Sequence, residues 1–323
     1  MKNPLVSILI PAYRLRWLDL TIASALAQTA TDFEIIVSDD SASDDVAKLL
    51  LKWNDPRIIY LRNPNRGLIG TNRDHLISNA KGKYLKFLFD DDVLLPNSVE
   101  ILLELLESSH CGMAFHSRYV IDADGRVGSA PSYLTTGEQR ELTKQDFFVN
   151  MIGNCSNLIG EPSNIMMRAD TLRSIKFPYT IQERRMGFLS DVALYANFMT
   201  QGHGIIGTAQ FGSAFRIHGD QTSGQNFSGF SAGVFEWELF RRWSAQAGYL
   251  SVQEFTRGNA RQMQMYHQYS KHHPELLDFI KINNHPPIKD FMSQDFLDLL
   301  NVSYSKIAMR TELRRQQRMA AKP

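Results

Sequence analysis

The stretch of sequence that decides the fold is AKGKYLKFLFDDDVLLP, residues 80–96. Within it, the apolar run 84–89 has the length of a buried strand and ends in three consecutive acids, Asp90, Asp91 and Asp92. Ligands of parallel α/β sheets bind beyond the carboxyl ends of the strands. The stretch therefore predicts a strand of such a sheet, with a candidate binding site at its end.

The residues before this stretch alternate short apolar runs with helical patterns, which is typical of a parallel sheet flanked by helices. We predict earlier strands at 6–10, 33–38 and 57–61. A helix over 74–80 is expected to close at Gly82, where the chain needs a residue that tolerates a positive φ.

The residues after this stretch continue the α/β pattern. A helix is expected to begin at Asn97 or Ser98, Asp124-Gly125 predicts a hairpin turn, and 131–145 loses periodicity like a surface excursion. We therefore expect an α/β domain over 1–225 and a helical extension over 226–323. Other predicted elements are strands at 113–117, 164–168 and 205–218 and helices at 191–199, 253–270 and 294–300.

The composition excludes some classes of protein. Lys and Arg total 35 and Asp and Glu total 34, so the chain lacks the positive charge of a dedicated nucleic-acid binder. Cys111 and Cys155 have no metal-like spacing and are expected to be ordinary thiols in a reducing compartment. We read no signal peptide, and no stretch approaches the roughly 20 apolar residues of a spanning helix. The expected location is the cytoplasm, or the surface of a membrane.

Two features of the C-terminal region suggest partners. Trp237 and Phe240 lie on the expected helical extension, where they can bury against a second copy of the chain. The tail is basic and fits either a solvated helix end or contact with anionic lipid headgroups on the inner face of a membrane. Its charged residues are Arg310, Arg314, Arg315, Arg318 and Lys322.

Polar residues follow four predicted strands and are expected to meet at one rim of the sheet. They lie at 11–14, 39–41, 65–67 and 90–92. The three adjacent carboxylates repel one another unless a cation lies there, and Mg²⁺ or Mn²⁺ commonly binds one or two carboxylates while substrate phosphates complete its shell. The residues thus predict a divalent ion that neutralises a diphosphate leaving group. The alternative is a run of capping acids before the next helix.

Four segments, in their order and spacing, resemble family 2 glycosyltransferases. They are VSILIPAY at 6–13, ALAQTATDFEIIVSDDSASDD at 25–45, NRG at 65–67 and AKGKYLKFLFDDDVLLP at 80–96. The resemblance implies a GT-A α/β fold with three layers, a mixed central sheet and a C-terminal helical extension. It further implies that 1–110 binds a nucleotide sugar and that 111–225 binds the acceptor.

The resemblance also implies a reaction. It is the inverting transfer of a sugar from a UDP- or dTDP-sugar to a glycan or lipid-linked acceptor in cell-surface polysaccharide biosynthesis, with Mn²⁺ or Mg²⁺ as cofactor. Pro11, Tyr13 and Asp39 are implied to line the base pocket, with Asp39 accepting a hydrogen bond from the pyrimidine ring. Arg73 is implied to lie near the donor phosphates.

Within the acidic triplet, the resemblance implies that Asp90 contacts the ribose, that Asp91 is the metal ligand and that Asp92 is a second acid of the metal site. Two residues depart from the family pattern. Phe89 stands where many relatives carry the first acid of the motif, and Asp74 stands where many carry asparagine. These departures concern the ribose and sugar contacts rather than the metal.

Two segments of the second half resemble the catalytic end of the family. MGFLSDVALYANFMTQG at 186–202 implies that Asp191 removes the proton of the acceptor hydroxyl, with Ser190 in place of a frequent glutamate. The alternative for Asp191 is a plain N-cap on a helix beginning at Val192. FRIHGDQTS at 215–223 implies that His218 reaches the metal or the diphosphate.

The neighbouring residues carry weaker expectations. Arg216 is expected to help neutralise phosphate, and the loop 221–228 is expected to order over the bound donor. Glu161 and Asn164 are expected to border the acceptor cleft.

Two other functions remain open. A sugar-phosphate nucleotidyltransferase has a related sheet, but such enzymes carry a glycine-rich loop after the first strand, where this chain has PAYRLRW at 11–17. A non-catalytic module that binds sugars or nucleotides would need no base at Asp191.

Overall fold

The computed structural model describes residues 3–68, 70–221, 223–224, 227 and 229–320, with side chains up to residue 313. The chain divides into two compact units. The first unit comprises Met1–Leu142, Leu158–Pro178 and Asn197–Ile217, and the second comprises Thr143–Asn157, Tyr179–Ala196 and His218–Pro323. The segments 143–157 and 179–196 thus group with the C-terminal helices, whereas the predicted boundary at 225 assigns them to the α/β domain.

The strands in chain order are β1 (Val6–Ala12), β2 (Phe33–Asp39), β3 (Ile58–Arg62), β4 (Tyr84–Phe87), β5 (Val93–Leu94), β6 (Met113–Ile121), β7 (Val127–Ser129), β8 (Gln139–Glu141), β9 (Ile165–Arg168), β10 (Thr180–Ile181), β11 (Arg184–Arg185) and β12 (Ile205–Arg216). The helices are α1 (Leu18–Leu26), α2 (Asp45–Leu50), α3 (Thr71–Asn79), α4 (Ser98–Glu107), α5 (Ala169–Ser174), α6 (Ser190–Thr200), α7 (Phe230–Gln246), α8 (Val252–Tyr269), α9 (Leu276–Asn283) and α10 (Gln294–Ala320). A π-helical segment, Gln145–Gly153, and a short 3₁₀ turn, Pro162–Asn164, complete the described elements.

The first unit is built on a mixed sheet. Its main path runs β3-β2-β1-β4-β9-β6-β12-β5, and β7 and β8 pair at the side with β6 and β12. The strands β3, β2, β1 and β4 are parallel neighbours, whereas β9 runs antiparallel to both β4 and β6. The predicted mixed central sheet is confirmed.

Helices cover both faces of this sheet. Ile8 and Ile10 of β1 belong to a buried cluster that includes apolar residues of α1 and α4. Leu9 points to the other face and is also fully buried, and there α3 packs against β1 and β2 with Leu76 buried. Successive side chains of a strand point to opposite faces, so the continuous apolar run of β1 requires a helical layer on each side. The three-layer prediction is confirmed.

The four strands predicted before residue 90 are all present, with ends that shift by one or two residues, whereas the strand predicted at 113–117 runs on to Ile121. The helix after β3 begins earlier than predicted, at Thr71, because Gly70 adopts a positive φ of 78° before it. The hairpin at Asp124-Gly125 joins β6 and β7, and Gly125 has a φ of 88° there.

Gly82 corrects one expectation, because it is not among the residues with positive φ. Its amide donates to Ser7 Oγ (2.8 Å), which itself donates to Glu34 Oε1 (2.6 Å). The Lys81 amide also donates to Glu34 Oε1 (2.9 Å). We call this set of bonds, at the amino ends of β1, β2 and β4, the amino-edge clasp. A Cβ on Gly82 would lie 2.5 Å from Ser7 N, so the position needs glycine because the β1 backbone passes close by.

The second unit has its own core of helices α7 to α10. Glu238 of α7 is fully buried and bonds to Arg242, Tyr266 and Asn283. Trp237 and Phe240 are also buried, with ring centroids 6.3 Å apart. These two aromatic residues contribute to the core of the unit, so they do not offer the exposed apolar surface expected for a second copy of the chain.

The helix α10 continues far beyond the predicted 294–300. Arg310 on it donates to Glu275 Oε2 (3.0 Å), so the first basic residue of the tail forms an internal ion pair. The other basic side chains of the tail lie outside the described part of the chain. Within the described residues, no helix combines the length and the apolar character needed to cross a bilayer.

We expect Gly82→Ala to lower the free energy of unfolding by about 1–3 kcal/mol, the usual cost of overpacking, because the new methyl group collides with the β1 backbone. Gly128→Ala in β7 is the matched control. Its nearest neighbour, Val120 O, would lie 3.8 Å from the new Cβ, so the effect should stay within about 0.5 kcal/mol. Urea unfolding followed by circular dichroism measures both, and equal stabilities of the two variants would contradict the close approach.

Candidate active site

The polar strand ends lie at one edge of the sheet, as predicted. In the parallel register, Ala12 pairs with Asp39 and Asp39 pairs with Arg62. The strand β4 runs parallel to β1 and is followed by the acidic triplet 90–92. Because parallel strands end at the same edge, the residues that follow β1 to β4 share that edge.

Asp90 ties the segment after β1 to the segment after β4. Its Oδ2 accepts hydrogen bonds from the backbone amides of Tyr13 and Arg14, each at 2.7 Å. Burial and the charge of Asp91 raise the pKa of Asp90 to about 6, while the two amides oppose this shift. Asp90 therefore fixes the loop that the sequence assigns to the base pocket.

Asp92 faces the interior of the first unit. Its carboxylate is fully buried and accepts from Ser163 Oγ (2.6 Å) and from the Arg216 amide (3.0 Å). Burial raises its pKa well above the ordinary value. Lys86, also fully buried, donates to the carbonyl of Ser163, and burial lowers its pKa to about 7 although Asp92 opposes that shift. Asp92 thus anchors the triplet to β12 and to the turn before β9.

Asp91 is the middle acid of the triplet and lies beside the cationic side chain of Arg14. Its side chain is 12% exposed, and Oδ2 is 3.8 Å from Arg14 Nη1, beyond hydrogen-bond distance. Within the described residues, no group of three or more His, Cys, Asp or Glu side chains is arranged to hold a metal ion by itself. The donors fit an ion that takes Asp91 from the protein and its other ligands from phosphate and water, as Mg²⁺ and Mn²⁺ commonly do.

Asp39 lies at the predicted edge but is completely buried. Its Oδ1 accepts from the Ser41 amide (2.8 Å), and its Oδ2 accepts from Tyr60 Oη (2.9 Å) and from Arg62. Arg62 also donates to the carbonyl of Ser43 (2.7 Å). A nucleobase that donates a hydrogen bond to Asp39 must therefore share these hydrogen-bond donors with it or displace them.

The other implied donor-binding residues lie around the same edge. Tyr13 is 58% exposed, and Pro11 at the end of β1 is half-buried. Asp40 accepts from Asn63 Nδ2 (2.6 Å) and from the Gly67 amide (3.3 Å), which holds the turn that leads to α3. Arg73, half-buried in the first turn of α3, follows this turn. An exposed aromatic ring beside polar groups is suited to stacking on a nucleobase.

Arg216 supports the acidic triplet, and its expected help in neutralising phosphate stays a prediction. Its Nε donates to the carbonyl of Asp91 (2.9 Å), and its Nη1 donates to the carbonyl of Asp122 (3.1 Å). The guanidinium is buried and lies 5.3 Å from the ring centroid of Trp17. Arg216 therefore holds the backbone of the acidic triplet.

Glu161 and Asn164 are also engaged within the first unit. Glu161 forms an ion pair with Arg118 (2.5 Å). Asn164 is fully buried and accepts from Ser213 Oγ (2.6 Å). Both polar residues therefore support the fold, and their position at an acceptor cleft stays a prediction.

His218 belongs to the second unit and is nearly buried. Its ring Nδ1 accepts from the Asp220 amide (3.2 Å), and its own amide donates to Gln221 Oε1 (2.7 Å). The role of His218 toward the metal or the diphosphate stays a prediction. Four positions of the predicted ordering loop 221–228 lie outside the described residues, so that prediction lies outside them as well.

Asp191 also belongs to the second unit and lies in the first turn of α6. The helix begins at Ser190, one residue before Asp191, so Asp191 is not the N-cap of a helix beginning at Val192. Its Oδ2 accepts a hydrogen bond from Asn157 Nδ2 (3.0 Å). The side chain is half-buried.

Sequence reasoning missed the residues that support these acids. Ser163, Asn63 and Asn157 bond to the site acids from positions 23 to 71 residues away. A local pattern does not contain such pairings. One signal was present, because Lys86 interrupts an otherwise apolar buried strand and a buried lysine requires partners.

Comparisons with known proteins agree with this geometry. The family model described as Glycosyl transferase family 2 matches residues 7–175. The Escherichia coli protein named UDP-Glc:alpha-D-GlcNAc-diphosphoundecaprenol beta-1,3-glucosyltransferase WfaP is 29% identical over 228 residues, which is 69% of this chain and 81% of WfaP. Chondroitin synthase of Escherichia coli is 38% identical over 130 residues, 39% of this chain and 19% of that protein. The chain thus spans most of WfaP but only a small part of the synthase.

A solved structure shows the same fold. Residues 1–349 of S. aureus TarS align with a TM-score of 0.61 at 14% identity, covering 94% of this chain and 87% of that one. The same TarS region solved with UDP-GlcNAc aligns with a TM-score of 0.57 at 15% identity, covering 80% and 72%. With the family model matching more than half of its length, the chain belongs to glycosyl transferase family 2 and has a GT-A fold.

Proposed function

We propose that this protein is an inverting glycosyltransferase that moves a sugar from a UDP- or dTDP-sugar to a glycan or lipid-linked acceptor in cell-surface polysaccharide biosynthesis. The observation that carries the proposal is the shared edge of β1 to β4, where the exposed Tyr13 and the carboxylate of Asp91 follow neighbouring strands. Family membership and the UDP-sugar donor in the name of WfaP support it.

In the proposed reaction, Tyr13 stacks on the base and Arg73 faces the diphosphate. Asp39 accepts a hydrogen bond from the pyrimidine ring, and this weakens the hydrogen bond that Arg62 donates to Asp39. Asp90 keeps its two amide bonds and so holds the base-binding loop rather than the ribose. Asp91 would hold Mn²⁺ or Mg²⁺, which when bound neutralises the charge of the departing diphosphate.

Asp191 acts as the base in this proposal, and Asn157 orients its carboxylate. The acceptor oxygen forms a bond to the anomeric carbon while the bond from that carbon to the diphosphate breaks. The hydroxyl proton passes to Asp191, and the nucleoside diphosphate leaves with the bonding electrons. A single displacement of this kind inverts the configuration of the sugar.

Asp91→Ala should weaken the binding of UDP in the presence of MnCl₂ at least tenfold, about 1.4 kcal/mol, because the ion loses its protein ligand. Isothermal titration calorimetry with UDP, in MnCl₂ and again in EDTA, measures the effect. Asp124→Ala, which removes an exposed carboxylate of the β6–β7 hairpin, is the control and should bind like the wild type. Equal affinities of all three proteins in MnCl₂ would count against the metal site.

Asp191→Asn should lower turnover by about 10²–10⁴-fold, the usual contribution of a general base, and leave the affinity for UDP within twofold. Turnover is measured as UDP release from UDP-glucose or UDP-GlcNAc with α-D-GlcNAc-diphosphoundecaprenol as acceptor. Asp295→Asn changes an exposed acid in the first turn of α10 and serves as the matched control. Full turnover by Asp191→Asn contradicts the role of Asp191 as base, and UDP binding with no turnover by the wild type under any donor and acceptor condition favours a non-catalytic module.

We further propose a cytoplasmic location with the basic tail against the inner face of a membrane. The expectation is that the full chain sediments with vesicles containing phosphatidylglycerol and is released by 0.5 M NaCl, because at such salt charge attraction is screened over distances longer than a Debye length of about 3–10 Å. Replacing Arg314, Arg315 and Arg318 by Gln should abolish sedimentation. Unchanged sedimentation of that variant would exclude the tail as the contact.

A further inference from the structure

A buried glutamate of the helical extension holds the segment that precedes Asp191. Glu236 of α7 is completely buried, and its carboxylate accepts from three consecutive backbone amides. The distances are 2.7 Å to Gly187 N, 3.1 Å to Phe188 N and 2.6 Å to Leu189 N. Tyr304 of α10 adds a fourth hydrogen bond of 2.7 Å to the same carboxylate.

These bonds are strong constraints because the carboxylate lies in the interior of the second unit. A buried charge without partners is costly, so the segment 187–189 cannot move away without leaving Glu236 unpaired. Consecutive amides form a concave anion-binding site, and a negative charge just before the start of α6 is also favoured by the helix dipole. Burial raises the pKa of Glu236, and the amide and Tyr304 bonds oppose the shift.

Side-chain packing holds the same segment. The ring of Phe188 meets that of Phe230 edge to face, with centroids 5.9 Å apart. It also fills the space above Gly233, where an added Cβ would lie 2.5 Å from Phe188 Cδ1. The segment is therefore fixed to α7 through both its backbone and its side chain.

We propose that Glu236 is a positioning residue for Asp191. The inference rests on the proposed role of Asp191 as the base. Asp191 lies two residues after Leu189, so the place where Glu236 holds the chain sets where α6 begins and where the Asp191 carboxylate projects. A general base must lie within hydrogen-bond reach of its proton, and a misplacement of about 1 Å can cost about 100-fold in rate.

Glu236→Gln tests the proposal, because it replaces one carboxylate oxygen by an NH₂ group. That group cannot accept a hydrogen bond from a backbone amide. The matched control is Glu238→Gln, on the same helix and equally buried, whose partners are Arg242, Tyr266 and Asn283 rather than the segment 187–189. Both variants should lose thermal stability. Glu236→Gln should lower kcat at least tenfold with KM for the donor within twofold, whereas Glu238→Gln should keep kcat within threefold at a temperature below both transitions.

The assay is UDP release from UDP-glucose or UDP-GlcNAc with α-D-GlcNAc-diphosphoundecaprenol, and Asp191→Asn is measured beside the two glutamate variants. Selective loss of kcat in Glu236→Gln and Asp191→Asn supports the inference. Loss in Asp191→Asn alone overturns the inference and leaves the proposed function standing. Full turnover by Asp191→Asn overturns both the role of Asp191 as base and the positioning role of Glu236.

A second variant covers the case in which Glu236→Gln fails to fold. Gly233→Ala retains the carboxylate but pushes against Phe188, and alanine improves the helix propensity of α7. It should lower kcat at least tenfold without loss of secondary structure and with donor KM unchanged. A wild-type kcat in folded Gly233→Ala contradicts the positioning role.

Discussion

The structure depends on how three adjacent carboxylates are accommodated at the end of β4. Each acid has different partners, which offset part of the mutual repulsion. Asp90 turns to the amides after β1, Asp92 turns inward to Ser163 and to the backbone of β12, and Asp91 is left beside Arg14. The two outer acids of the triplet therefore join β1, β4, β9 and β12, and they leave the middle acid at the edge where a ligand can approach.

Much of the first half could be predicted because its signals are local. Apolar runs give β1, β2 and β4, and the acids that follow them fall at one edge because parallel strands end together. What could not be predicted depends on contacts between distant positions. The reason for glycine at Gly82 is the approach of β1, and the partners Ser163 and Asn157 come from irregular segments. The helix α9 was missed, since its eight residues are too few for a clear period.

The structural bonds of the site acids are distinct from the ligand contacts that the resemblance implies. Asp39 and Asp90 are implied to contact the donor, and each also accepts hydrogen bonds from protein groups. Buried polar groups need such partners whether or not a ligand binds. The same distinction applies in the second unit, where Glu236 carries no expected chemistry of its own but holds the segment before α6. Family motifs identify candidate site residues, and the hydrogen bonds show which of these residues also hold the backbone in place.

The amino-edge clasp lies at the opposite end of the strands from the acids. It joins β1, β2 and β4 through Ser7, Glu34 and the Gly82 amide, so the strands cannot slide past one another. A slip of one residue would turn every side chain to the wrong face. With the register also fixed from behind, the bonds of Asp90 and Asp92 at the carboxyl edge do not align the strands alone. Stretches of the carboxyl-edge loops that lie away from these two acids can therefore vary in length and in sequence on an unchanged framework.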